Sequence, residues 1–161
     1  MFIAHLPAGY LLTTSLQRRL KTGKLLWLGL LASILPDFDL LYFFFIDGRR
    51  TLHHDYWIHR PFCWLVLLGT AWLASLLVKK DWAKPALIIF FANIFLHLIL
   101  DTFVAGISWL YPLTAQSFRL VEVPARYGFW VWNFVFHWSF IVEIFLVVWA
   151  AARLYRRRKV V

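Results

Sequence analysis

Between Pro85 and Leu113 the chain is almost wholly apolar, yet midway it reads His97-Leu-Ile-Leu-Asp101. An ionisable side chain at bilayer depth costs at least roughly 2.5 kcal/mol on insertion scales, so such groups turn to a protein interior and mark functional sites. Four positions apart on a helix, His97 and Asp101 share one face, which suits two ligands of one metal ion. This segment must therefore pack among other elements of the fold.

Composition makes the membrane the first expectation. The 161 residues are 62% hydrophobic, 20% aromatic and only 16% charged, too much apolar surface for a soluble domain of this size. A net charge of +9 could suggest nucleic acid, but a nucleic-acid binder needs its basic groups on a solvated face. Here they flank apolar segments, so no nucleic-acid partner is expected. One cysteine, Cys63, excludes an internal disulfide framework and a cysteine-rich zinc site. Any metal must be held by histidine and aspartate. The N-terminus lacks a basic stretch and a cleavage site, so a removable signal peptide is not expected.

A helix needs about 20 apolar residues to cross a hydrocarbon core. Four segments reach such lengths: Leu25 to Ile46, Phe62 to Val78, Pro85 to Leu113 and Phe129 to Ala152. A fifth, Ile3 to Leu16, is short and amphipathic and either spans or lies in the interface. The predicted fold is all-α: a polytopic membrane helix bundle of four long transmembrane helices plus a short N-terminal helix, in one domain over residues 1–161. Arg18, Arg19, Lys21, Lys24, Lys79, Lys80, Lys84, Arg153, Arg156, Arg157, Arg158 and Lys159 fall on one side of this topology. Arg49, Arg50, Arg60, Arg119 and Arg126 fall on the other. The positive-inside rule then makes the first side, with the C-terminus, cytoplasmic in a bacterial inner membrane.

In this topology the polar residues converge on the outer half. Asp37, Asp39, His97 and Asp101 approach the outer leaflet, His5 lies at the outer end of the first segment, and His54 and His59 lie in an outer loop. A channel or transporter would line both halves with polar groups. Pro36 removes an N–H and clashes with the carbonyl of Ala32, so the helix breaks within Leu35-Pro36-Asp37-Phe38-Asp39. That break lets both aspartates point the same way, whereas in an unbroken helix positions i and i+2 diverge by about 200°. Without metal, one aspartate would cap the following half-helix. In His53-His54-Asp55-Tyr56-Trp57-Ile58-His59-Arg60, His53 and Asp55 read as bystanders. Asn93, His97 and Asp101 make a stripe at i, i+4 and i+8, whose bland alternative is an interhelical clamp. Asn133 and His137 read as structural, and Glu143, about 120° around the helix from His137, is left outside the site.

His5, Leu35-Pro36-Asp37-Phe38-Asp39, His54 and His59 five positions apart, and His97-x-x-x-Asp101 followed by Gly106 and Pro112 together resemble the bacterial membrane-bound metal-dependent hydrolase family named after a LexA-regulated inner-membrane protein. The resemblance covers residues 1 to about 113 and implies a polytopic hydrolase. The chain departs from that family's His-Arg-Gly-x-Thr-His-Ser pattern, reading His54-Asp55-Tyr56-Trp57-Ile58-His59-Arg60, but keeps both histidines. A fainter similarity links the same order of ligands to zinc-dependent phospholipase C, whose later ligands have no counterpart here.

Three carboxylates in a dry bundle need protonation or neutralisation, and two divalent cations more than offset them. The expected centre holds two ions, zinc or alternatively manganese, with Asp101 bridging. One ion takes Asp37 or Asp39 with His59 and His97, and the other takes His5 and His54. Asp101 and Asp39 are the catalytic candidates, and Arg60, Arg119 and Arg126 are candidates for holding an anionic head group. The expected activity is hydrolysis of a lipid phosphoester at an outward-facing site, the membrane lipid being both environment and substrate. The alternative is a non-enzymatic protein that binds or transports divalent metal.

Overall fold

The computed structural model describes residues 1, 3–78 and 80–159, so Lys79, one of the cations assigned to the inner side, lies outside the described residues. Among the described residues the regular structure is helical, apart from one isolated β-bridge between Ile107 and Phe118. Its helices are α1 (His5–Arg19), α2 (Leu26–Ile34), α3 (Asp39–Phe45), α4 (Pro61–Leu77), α5 (Ala83–Thr102), α6 (Trp130–Val135) and α7 (Phe140–Arg158).

Four long spans are not what forms. Among the described residues only α5, 20 residues at a mean hydropathy of 1.9, is long and apolar enough to cross a membrane alone. The segment Leu25 to Ile46 is divided into α2, a 3₁₀ turn at Pro36–Phe38 and α3, with a 51° bend between the two halves. Pro36 begins that turn, where its missing N–H is harmless. A pair so bent counts as a second crossing only if both halves are one span. The next segment gives α4, 17 residues long.

The remaining two segments stop short because other groups take over the backbone bonds. Near the end of α5 the amides of Leu120 and Val121 donate to the carbonyls of Thr102 and Phe103, both at 2.9 Å. The Trp109 indole donates to Thr102 Oγ1 at 2.8 Å. Helix-end carbonyls otherwise lack partners, and this returning segment supplies them, so residues 103–113 need not be helical. The stretch from Phe129 to Ala152 breaks between α6 and α7, where the His137 ring pairs through Nδ1 with the Ser139 hydroxyl at 2.8 Å and accepts the Ser139 amide at 3.3 Å. Such local side-chain bonds compete with helix continuation.

α5 is the hub, packing against α1, α2 and α4, with Ile89, Ile94 and Leu98 fully buried. α1 runs antiparallel to it: Thr13 Oγ1 accepts from Asn93 Nδ2 at 3.0 Å, while His5 at the start of α1 reaches Asp101 at the end of α5. α1 and α2 approach closely through glycine. A Cβ on Gly29 would overlap Thr13, and one on Gly9 would overlap Ser33. α7 runs alongside α1 in the same direction, as Glu143 meets Ala4 at one end and Arg153 meets Ser15 at the other. Large apolar side chains such as Trp27, Phe45, Leu77 and Ile141 stay exposed around this bundle.

Candidate metal centre

At one end of the bundle five elements bring ionisable side chains together. α1 supplies His5, the 3₁₀ turn after α2 supplies Asp37, and α3 opens with Asp39. The loop before α4 adds two short 3₁₀ turns, His53–Asp55 and Trp57–His59, and the last turns of α5 add His97 and Asp101. The loop is set by its own bonds. Asp47 Oδ2 accepts the Arg50 and Thr51 amides, each at 2.8 Å, and Trp64 Nε1 donates to the Ile58 carbonyl at 2.6 Å. The backbone amide of Thr51 is the largest cause holding the Asp47 carboxyl below the usual carboxylate range. Trp64, buried in the apolar cluster with Ala32, Phe91, Ile94 and Leu98, thus anchors the residue preceding His59.

Two groups of donor atoms are spaced to hold a metal ion: His5, Asp37, His97 and Asp101, and His53, His54 and His59. Within each group the ligand atoms lie within 4.8 Å of one another. Asp101, 1% exposed, belongs to the first group and also faces the second. Its Oδ1 lies 3.1 Å from His5 Nε2 and 2.5 Å from the Met1 amine. Its Oδ2 lies 3.0 Å from His97 Nε2, 3.6 Å from His59 Nε2 and 3.8 Å from His54 Nε2. Asp39 sits beside the loop histidines, 2.9 Å from His59 Nδ1 and 3.6 Å from His53 Nδ1.

The Met1 amine donates to Asp101 Oδ1, but most of the other short pairs are not arranged as hydrogen bonds. His59 Nδ1 and Nε2, His97 Nε2, both Asp39 oxygens and Asp101 Oδ2 are buried without a hydrogen-bond partner. His97 makes the point sharpest. Its Nδ1 pairs with the Ser33 carbonyl at 2.8 Å, and a carbonyl only accepts, so Nδ1 carries the proton. In the neutral ring Nε2 is then a lone pair facing the Asp101 and Asp37 oxygens, at 3.0 and 3.6 Å. Lone pairs converging on one buried point fit a shared cation, and a backbone carbonyl behind the ligating histidine is the usual way such a ring is oriented. Burial is the main cause pushing His54, in the loop, down to about 2, which leaves its ring neutral and able to donate to a metal. The donor set of imidazoles and carboxylates suits zinc or another divalent first-row ion.

A family model described as YdjM inner membrane protein matches residues 1–160. The chain belongs to the YdjM inner membrane protein family. No curated protein and no solved structure matches the chain. Membership in the YdjM family puts the protein in the inner membrane, consistent with its exposed apolar side chains.

All the metal candidates named from the sequence, His5, Asp37, Asp39, His54, His59, His97 and Asp101, come together in this YdjM family member. They are grouped differently from the expectation. His5 stacks on His97, ring centroids 3.8 Å apart, and so joins Asp37, whereas His59 joins His54. His53, read as a bystander, belongs to the loop group, its ring tilted 43° to that of His54 with centroids 3.7 Å apart. Its adjacency to His54 was the available signal, since a 3₁₀ turn lets neighbouring side chains share one concavity.

The arginine candidates are not gathered in the same way. Arg60 lies next to His59, with its guanidinium 4.2 Å over the Tyr111 ring and Nη2 donating to the Asp55 carbonyl at 3.0 Å. Arg119 is exposed and paired with Glu122 at 3.2 Å. Arg126 is exposed, its amide held by Asn133 Oδ1 at 2.8 Å. Asn133 therefore ties down a loop, His137 serves the break before α7, and Asn93 bonds Thr13 as a clamp between helices. Glu143 lies outside the donor groups but accepts from the amides of Ile3 and Ala4, at 2.5 and 3.1 Å, immediately before His5.

Proposed function

We propose that the cluster around Asp101 is a two-ion centre, of zinc or manganese, that hydrolyses a phosphoester of a membrane lipid. The observation that carries this reading is two adjoining groups of donor atoms, His5, Asp37, His97 and Asp101 in one and His53, His54 and His59 in the other, with buried atoms of His59, His97, Asp39 and Asp101 left without a hydrogen-bond partner. Divalent ions held there would supply Lewis-acid polarisation of a phosphoryl group and acidify an attacking water. The side chains do the rest. Asp101 Oδ1 faces His5 while Oδ2 faces His97, His59 and His54, Ser33 fixes the His97 ring, and Asp39 lies 2.9 Å from His59 Nδ1. Water oxygen adds to phosphorus, the ester P–O bond breaks, and the alcohol leaves with a proton.

A lipid substrate is supported by the inner-membrane family and by the side from which the cluster opens. Asp37, His53 and His54 keep 31%, 24% and 23% of their side chains exposed, while His59, His97 and Asp101 are closed off. Arg60, next to His59 in the same loop, is the cation this reading assigns to a phosphate diester. Arg18, Arg19, Lys84 and the arginines from Arg153 to Arg158 all lie at the opposite end, because α5 begins where α1 and α7 finish. Their concentration supports a cytoplasmic end there and a periplasmic face for the cluster.

The test is metal analysis by plasma mass spectrometry on the detergent-purified, untagged wild type and Asp101→Ala, followed by head-group or phosphate release from phospholipids by the wild type. Bound divalent metal lost in the variant, with metal-dependent release, is the expected result. Metal without any hydrolysis would leave a metal-binding or metal-transporting protein, and a folded wild type without metal would overturn the centre itself.

A further inference from the structure

Away from the cluster, α1, the start of α2 and the end of α7 enclose a groove of about 1270 Å³. Along α1 it runs from Tyr10 to Arg18, about 8 to 20 Å from His5 by helical rise, with its arginines at the far end. Arg18, Arg153, Arg156, Arg157 and Arg158 line it, and among the described residues no carboxylate does. Five like charges around one concavity repel one another unless an anion joins them. The groove is also amphipathic. Tyr10 and Trp149 supply rings of the kind that settle at a membrane interface, and Leu26 and Leu154 add aliphatic wall.

Arg153 distinguishes this groove from an ordinary basic helix end. Its Nη1 donates to Ser15 Oγ at 3.0 Å and to the Leu11 carbonyl at 3.4 Å, which fixes the guanidinium against α1. Its Nη2 is buried with no acceptor among the described residues. A guanidinium presents a rigid fork of donors, and a phosphate oxygen is the acceptor it matches best.

We propose that this groove binds the phosphate of an anionic phospholipid. Arg153 makes the directed contact, Arg18, Arg156 and Arg157 supply the field, and the aromatic and aliphatic walls meet the glycerol and upper acyl chains. A free phosphate shares the charge but gains nothing from those walls, and basic pockets between membrane helices have this character. The site is separate from the metal cluster and does not depend on any reaction there.

The experiment follows the thermal unfolding midpoint of the detergent-purified full chain by tryptophan fluorescence, titrated separately with phosphatidylglycerol, phosphatidylcholine and inorganic phosphate. Phosphatidylglycerol should raise the midpoint saturably, and the other two should not do so over the same concentrations. Arg156→Gln with Arg157→Gln, both exposed side chains, should not lower the lipid-free midpoint, since it relieves like-charge repulsion, and should raise the half-saturating lipid concentration by roughly 10- to 30-fold. Arg153→Gln should do the same or more, and if it fails to fold the exposed pair decides. An equal response to phosphatidylcholine, or an unaltered titration in the double variant, would overturn the site. Stabilisation by inorganic phosphate alone would assign the groove to a soluble anion and overturn the lipid. Metal content is read in the same samples and should not change, so the outcome is independent of the metal centre.

Discussion

His97 Nε2 lies 3.0 Å from Asp101 Oδ2, one turn further along α5, and the two atoms are buried without a hydrogen bond between them. With the other ring nitrogen committed to Ser33, the pair is two electron-rich atoms directed at the same volume. Asp101→Asn keeps the shape but removes the charge and turns one oxygen into a donor. Metal affinity should fall by roughly 100-fold or more, since even partners behind the ligands are worth 10 to 100-fold. Stoichiometry on dialysed wild type and variant reads this directly, and equal metal in both would reject Asp101 as the shared ligand.

Removing the metal should cost stability as well. A ligand bound only to the folded state stabilises it by about 2.7 kcal/mol at a free concentration 100 times its dissociation constant. Treatment with a chelator, followed by its removal, should lower the unfolding midpoint, and adding back zinc or manganese should restore it. Magnesium, which prefers an octahedral set of oxygens, should restore it poorly. A midpoint indifferent to chelation would leave the Met1 amine as the counter-charge of Asp101 and argue against a bound metal.

The membrane and the ligand candidates were legible in the chain because each depends on local information. An aspartate pair just after Pro36 announces a bend, and a histidine four residues before an aspartate announces a shared face. Span lengths were not legible in the same way. Hydropathy sees Phe103 to Leu113 as a continuation of α5, but the amides of Leu120 and Val121, more than fifteen residues on, take up the carbonyls there. The break at His137 and Ser139 likewise depends on a ring meeting a hydroxyl. The grouping of His5 with His97 depends on α1 packing antiparallel to α5, which no single segment encodes.

Glu143 gives a prediction about positioning. Its Oε2 accepts two backbone amides, from Ile3 and Ala4, so it ties α7 to the residues that deliver His5. Glu143→Ala leaves those buried amides unmade, at a cost of about 1–3 kcal/mol. Glu143→Gln retains an acceptor and should recover most of the loss. If His5 is positioned through this contact, metal affinity should follow the same order, wild type above Gln above Ala. Retention of full metal affinity in a destabilised Glu143→Ala would confine the residue to a structural role.

Two glycines should respond with opposite signs. A Cβ on Gly29 would overlap the Thr13 side chain, so Gly29→Val must push α2 from α1, and overpacking of this kind costs about 1–3 kcal/mol. Because α1 carries His5 and the Ser33 carbonyl on α2 holds His97, the shift should also weaken metal binding. Gly69, in the middle of α4, has nothing within 4 Å of where its Cβ would sit. There Gly69→Ala removes the conformational freedom of a mid-helix glycine and should stabilise by about 0.5–1 kcal/mol. Unfolding midpoints of the two variants, with metal content measured beside them, test the packing directly. A neutral Gly29→Val would mean that α1 and α2 are not held at the separation that brings His5 onto His97.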